Sequence, residues 1–255
     1  MKIQPNDLKE FLDYKYSIYN NPTFIETDPI SIPHLFSSKE DIEIAAFLTA
    51  TISWGNRKTI LKNAYRLMEL MDLTPYDFIK KHNKKDLKTL DSFVHRTFND
   101  SDTIYFIQSL KNIYNNPGGL EALFSTINTI GVKEAIHVFR KKFLELNHPA
   151  HVEKHLPDPL KGASAKRINM FLRWMVRKDE EGVDFGLWKN ISPSNLVCPL
   201  DVHTGNVARK LGLLTRKTSD WKAVEELTDS LRTFDPADPV KYDFALFGLG
   251  VFEKF

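Results

Sequence analysis

The sequence predicts an all-α protein. Apolar residues recur at helical spacing in one segment after another, whereas period-2 alternation with β-branched residues persists nowhere. Breakers separate the helical segments, most strongly Asn115-Asn116-Pro117-Gly118-Gly119. In order, Ser38 and Asp41 precede Ile42, Ala45, Leu48 and Ile52, an apolar face behind a capping residue. A helix from about Thr59 to Met71 carries Ile60, Ala64, Leu67 and Leu70 inward, and Pro75 permits a new start for a short helix through Lys80. Asp102 reads as the cap of a helix through Ile104, Ile107 and Leu110. Leu120 to Phe124 is a short helix, and Val132 to Leu146 a longer one with Ala135, Val138, Phe139 and Phe143 in phase. Residues 147–163 read as irregular. Ser164 then reads as the cap of a helix carrying Ile168, Leu172 and Met175, and Glu180 to Pro199 as a loop-like insertion. Asp201 opens a helix with Val202, Val207 and Leu211 inward, stopped by Gly212. Thr218 is expected to cap the next, and Asp238-Pro239 to start the last.

The composition narrows the function classes. A 42% hydrophobic and 27% charged content is that of a globular chain with a core of its own. The single cysteine, Cys198, excludes an internal disulfide framework and any cluster held by four cysteines. No apolar run approaches the roughly 20 residues of a membrane helix, and the stretch MKIQPNDLKEFLDYKY has no apolar signal core, so a cytoplasmic location is expected. A net charge of +2 gives a weak global field, so any grip on nucleic acid depends on local arrangement. Basic residues gather at Lys161, Lys166, Arg167, Arg173, Arg177 and Lys178, and again at Arg209, Lys210, Arg216 and Lys217. Taken alone, each cluster fits a solvated face.

Two segments carry chemistry. In Lys161-Gly162-Ala163-Ser164-Ala165-Lys166-Arg167, a glycine bend runs into a helix start, where outward N–H groups and the helix dipole bind phosphate. Lys166 falls in the first turn, where the dipole opposes a cation. An amine in such a place serves either phosphate contact or nucleophilic chemistry, and the position also fits an ordinary exposed lysine. In Cys198-Pro199-Leu200-Asp201-Val202-His203, Asp201 opens a helix that ends Arg209-Lys210-Leu211-Gly212-Leu213. It reads as an N-cap or as a carboxylate placed against developing positive charge.

Together these segments resemble the helix-hairpin-helix–GPD DNA glycosylases. Pro199 to Leu213 is similar to the stretch carrying that family's catalytic aspartate, and Gly162 to Asn169 to its hairpin and the lysine that follows. Phe47-Leu48-Thr49-Ala50-Thr51 resembles its early helix, and Val240 to Val251 its late one. The likeness is collinear over most of the chain. It departs from the family at Ser164, where the hairpin's second glycine stands, and in the 35 positions between Lys166 and Asp201. That separation resembles the archaeal 8-oxoguanine glycosylase branch rather than the endonuclease III branch. The chain also looks like a bacterial conserved family of unknown function.

The resemblance implies one unit over residues 1–255, with two helical lobes and a DNA groove between them. It implies a monomer with no cofactor, no metal and no iron–sulfur cluster. The partner it implies is double-stranded DNA carrying a damaged base, with an oxidised purine as candidate. Lys166 would be the nucleophile and Asp201 the catalytic carboxylate of a glycosylase with lyase activity. Lys161, Gly162, Ala163, Ser164 and Arg167 would contact the backbone, with Thr51 and Trp54 near the wedge. Trp54, Asn56 and Arg57 follow the early helix, and Trp54 fits core packing as well as base stacking. Two other readings stand beside this one: a nucleic-acid-binding protein without the reaction, and a structural adaptor. His148, His151 and His155 read as loop histidines, and Phe93 to Asp100 as core packing with one structural arginine.

Overall fold

The computed structural model describes residues 5–255, so the first four residues of the stretch read for a signal core lie outside it. Fourteen α-helices are present among the described residues: α1 (Pro5–Tyr19), α2 (Pro22–Thr27), α3 (Lys39–Thr51), α4 (Arg57–Glu69), α5 (Pro75–Lys81), α6 (Lys84–Leu87), α7 (Asp100–Tyr114), α8 (Gly119–Phe124), α9 (Ile127–Ile130), α10 (Val132–Phe143), α11 (Lys166–Val176), α12 (Val202–Lys210), α13 (Trp221–Arg232) and α14 (Tyr242–Val251). Short 3-10 turns join several of them. Among the described residues extended pairing is confined to two isolated bridges, His95 with Phe98 and Ala163 with Asp220. The protein is all-α. No helix among the described residues is long and apolar enough to cross a membrane.

Helix α3 is the axis of the core. Ser38 caps it, and every residue from Ile42 to Thr51 is buried. Phe47 stands among Phe106, Phe139, Phe143 and Phe171, with centroids 5.3–5.9 Å away, so α7, α10 and α11 all pack through one ring. Glu43 is buried on the same helix, and accepts hydrogen bonds from the Tyr114 hydroxyl and the Trp188 indole, each at 2.7 Å. A buried carboxylate is tolerable only with such donors. The insertion after α11 therefore folds back into the core. Phe185 and Trp188 also donate their N–H groups to the carbonyls of Trp174 and Met175 at the end of α11.

The C-terminal helix is approached closely on two sides. A Cβ at Gly248 would stand 2.2 Å from the Tyr19 ring, and one at Gly250 would stand 2.9 Å from His203. Glycine at these positions lets α1 and α12 lie against α14. This brings the start of α12, and with it Asp201, over α14.

Three caps differ from the sequence reading. Asn99 caps α7, with Asp102 at the third helical position completing a capping box. Asp220 caps α13, and Thr218 donates its hydroxyl to Asp220 instead. Ala165 occupies the cap position of α11 in a left-handed conformation, φ +48°, with no side-chain cap, so Ser164 lies one residue too early to serve. Val202, expected inward, is 72% exposed, because the first turn of α12 faces open space. Helices α1, α2, α6 and α9 had no counterpart in the sequence reading.

Candidate active site

The turn before α11 is built by a short 3-10 segment, Pro159–Lys161, capped by the Asp158 carboxylate accepting from Leu160 N–H at 3.1 Å. Gly162 follows at φ +89°, where a side chain would be strained. Its N–H donates to the Pro159 carbonyl, the Ala163 N–H donates to the Asp158 carbonyl, and the Gly162 carbonyl accepts from Trp221 N–H at 3.0 Å. The turn is thereby fastened to the start of α13. Asn169 reaches back one helical turn and donates from Nδ2 to the Ser164 carbonyl at 3.0 Å. The first-turn N–H groups of α11 thus have no side-chain acceptor from the cap position, and Ala163 to Arg167 form a wall of an open cleft.

That cleft has a volume of about 810 Å³ and brings together Lys166, Asp201, Trp54, Arg57, His203 and Ser219 from distant parts of the chain. Asp201 caps α12, its Oδ1 accepting from Thr204 N–H at 2.7 Å. Beneath Lys166 and Asp201 a narrow recess continues inward, of about 30 Å³, walled by Phe24, Met170, Phe244 and Phe247 and by the carboxyls of Asp28 and Asp243.

The recess rests on buried charge. Arg173, 4% exposed, pairs with Asp184 at 3.3 Å and with Asp243, and its guanidinium lies 4.2 Å from the Phe244 ring centroid. Arg177, buried beside it, binds Asp184 at 3.3 Å, Asp238 at 2.8 Å and Asp179. Burial pushes the Asp243 carboxyl up to about 6. Asp201 and Asp184 push the same way, against Arg173 and Lys166. Burial raises Asp28 as well, opposed by the Ile30 N–H and by Arg57, Arg173 and Lys166. Arg173 and Arg177, placed in a basic cluster by sequence, are therefore internal counter-ions and do not face solvent.

The other sequence-selected residues divide clearly. Ala163, Ser164, Lys166, Arg167, Asp201 and Trp54 line the cleft. Lys161 and Gly162 are exposed on the adjoining turn. Thr51 is corrected: it is 2% exposed, so its side chain has no access to a partner, and its carbonyl accepts from Arg167. Arg167 is correspondingly tied inward, donating to Thr51 and to the His155 carbonyl at 3.3 Å and lying 4.7 Å over the Trp54 ring. Burial lowers its guanidinium to about 10. The Trp54 ring also meets His95 edge-on at 5.0 Å and stacks on His155 at 5.9 Å, which gives it a packing role at the cleft wall.

His151 and His155 both face the buried Asp102 carboxylate, at 3.3 and 3.1 Å, so the histidine run ties a 3-10 turn to α7. Burial lowers His155. Among the described residues no group of three or more metal-ligating side chains is assembled.

Sequence reasoning missed Asp28, Asp243 and Phe247, and placed Arg173 in a surface cluster. Asp28 precedes Pro29 and caps the turn there, accepting from Ile30 N–H at 3.1 Å. Nothing in a single sequence connects it to Lys166.

The fold and cleft define an all-helical protein with a lysine and an aspartate converging on one cavity. A family model described as a protein of unknown function (DUF2400) matches residues 28–252, and the chain belongs to that family. No curated protein and no solved structure matches it.

Proposed function

We propose that this protein is a DNA glycosylase with lyase activity, acting on a damaged base in double-stranded DNA. The observation that carries this reading is the meeting of Lys166 and Asp201 at the mouth of an aromatic-walled recess, 35 positions apart in sequence but in one cleft. A base inside a duplex stack cannot be reached, so it must be turned out into the cleft, since the recess beneath has room only for water. Phe247 and Met170 supply apolar surface for a flat ring in the cleft, and Asp28 supplies an acceptor for its N–H groups. The uncapped start of α11 supplies donors for the phosphate beside it. The two-lobed arrangement, the monomeric state and the cytoplasmic setting belong to this same proposal.

The reaction follows from the groups present. The Lys166 amine attacks C1′ of the sugar while the glycosidic C–N bond breaks. The base leaves with that electron pair and takes up a proton. Asp201 stabilises the positive charge that develops on the sugar as the bond lengthens. The Lys166 nitrogen and C1′ then form an imine as the sugar ring opens. Loss of a proton from C2′ expels the 3′-phosphate and cuts the strand.

The imine can be reduced, and this gives the test. Borohydride added during turnover on a panel of single-lesion duplexes is expected to lock protein and DNA into one covalent species, which Lys166→Gln abolishes along with most base release. An adduct that survives in Lys166→Gln places the nucleophile on another lysine. No adduct and no base release on any duplex overturns the proposal.

A further inference from the structure

Arg57 is the first residue of α4, after the left-handed Gly55, φ +101°, and the Asn56 cap, whose Oδ1 accepts from Thr59 N–H at 3.2 Å. A cation in the first turn of a helix opposes the helix dipole, so its favourable partners lie off its own helix. Here they lie across the cleft. The Arg57 guanidinium sits 5.1 Å from the centroid of the Phe247 ring on α14, and its charge reaches the Asp28 carboxyl. Arg57 lines the cleft only, whereas Phe247 and Asp28 line both cleft and recess. The guanidinium therefore covers an aromatic surface at the junction of the two spaces.

A flat ring entering the cleft needs an aromatic face to stack on. Phe247 offers one, and Arg57 lies over it. A neutral nucleoside can displace the guanidinium but gives it no new partner. A nucleotide gives it a phosphate, which binds the planar guanidinium fork more strongly than an aromatic face does. We propose that Arg57 is a specificity-determining residue that makes the cleft admit a nucleotide unit, ring and phosphate together, in preference to a neutral nucleoside. This rests on the reading that the cleft takes a base.

The test uses the full chain and two probes, deoxyguanosine 5′-monophosphate and deoxyguanosine, titrated calorimetrically. Guanine is chosen because its N–H edge matches the acceptor that Asp28 presents to the cleft. Wild type is expected to bind the monophosphate about tenfold more tightly than the nucleoside, the scale of exchanging a cation–π interaction for a charge-assisted hydrogen bond to phosphate. Arg57→Ala is expected to bring that ratio close to one, by strengthening nucleoside binding while weakening the nucleotide. Arg57→Lys keeps the charge without the planar fork and is expected to fall between them. A ratio unchanged in Arg57→Ala, a parallel loss for both probes in a variant that melts like wild type, or no binding of either probe to wild type overturns the proposal. Base release from lesion duplexes is read separately. Selectivity present with no base release removes the glycosylase reading alone, and base release without selectivity removes the role of Arg57 alone.

Discussion

The two faces of α11 solve burial in opposite ways. Phe171 points into a cluster of rings, 5.6 Å from Phe47, 6.3 Å from Phe124 and 5.4 Å from Trp188 by centroid. Arg173, two residues on and so on the far side of the helix, points into carboxylates from the insertion and from α14. The hydrocarbon face requires only shape. The ionic face requires every partner, since a buried charge that loses one is left uncompensated. Lys166, Met170 and Arg173 share that second face at helical spacing, and all three line the recess. The cleft has been built where the fold is held by charge, which fixes the directions of polar groups more tightly than packing does.

The largest effect that breaks this comparison is expected at Arg173. Arg173→Met leaves the buried Asp243 without its guanidinium partner, while Asp184 keeps Arg177, and should cost about 4 kcal/mol near neutral pH, the scale of breaking a buried ion pair. Phe171→Ala should cost about 3 kcal/mol through lost burial and a cavity. Their pH dependence separates them. The Asp243 carboxyl is raised from 3.8 to about 6, so its contribution to stability is present below the unfolded value and lost as pH rises through about 6. Without Arg173 the carboxyl rises further, and the cost of Arg173→Met should shrink between about pH 8 and about pH 5, while that of Phe171→Ala stays level. Urea denaturation at both pH values measures this. Equal pH profiles for the two variants would mean that the ionic face contributes nothing distinctive.

Next in size is Asp201. Asp201→Asn keeps the cap, because asparagine accepts from the helix N–H groups as well as aspartate does. Folding and DNA retention should therefore be preserved, while base release falls about a hundredfold for loss of a positioned charge. Single-turnover assays on the best lesion duplex read this directly. Unchanged turnover would reduce Asp201 to the cap that it visibly is.

The hydrocarbon half of the molecule was legible in sequence, and the ionic half was not. Helices α4, α7 and α10 announce themselves because one face repeats apolar residues, a signal local to the segment. Their caps were less legible. Asn99 and Asp102, or Thr218 and Asp220, stand within three residues of each other, and only the backbone angles decide which one caps. Helix α2 is six residues long, too short for a periodic signal. Arg173 pairs with Asp184 and Asp243, which stand 11 and 70 positions away, and sequence offers no pattern for such partners. The same holds within the site. Lys166 and Asp201 could be selected because their segments resemble known ones, whereas Asp28 and Phe247 enter only through the way α2 and α14 close on α11.

The smallest expected effect sharpens the contrast within one turn of chain. Sequence placed Lys161 and Arg167 together as backbone contacts. Lys161, exposed, ends the 3-10 segment beside the turn at Gly162, with nothing in the fold depending on its ammonium. Arg167 holds two carbonyls, Thr51 at the end of α3 and His155 in the turn packed on α7, and covers the Trp54 ring. Removing a phosphate contact releases one fewer counterion, so Lys161→Ala should weaken duplex retention equally for every sequence and reduce the salt slope by about one, with unchanged thermal stability. Arg167→Ala should instead lower the melting temperature, since two buried carbonyls lose their donor. Its salt slope should stay near that of wild type. Retention measured across a salt series for both variants, beside their thermal melts, decides this. A fall in slope for Arg167→Ala with an unchanged melt would return that side chain to the DNA-facing role. A salt-independent wild type would mean that the turn at Gly162 tracks no phosphate at all.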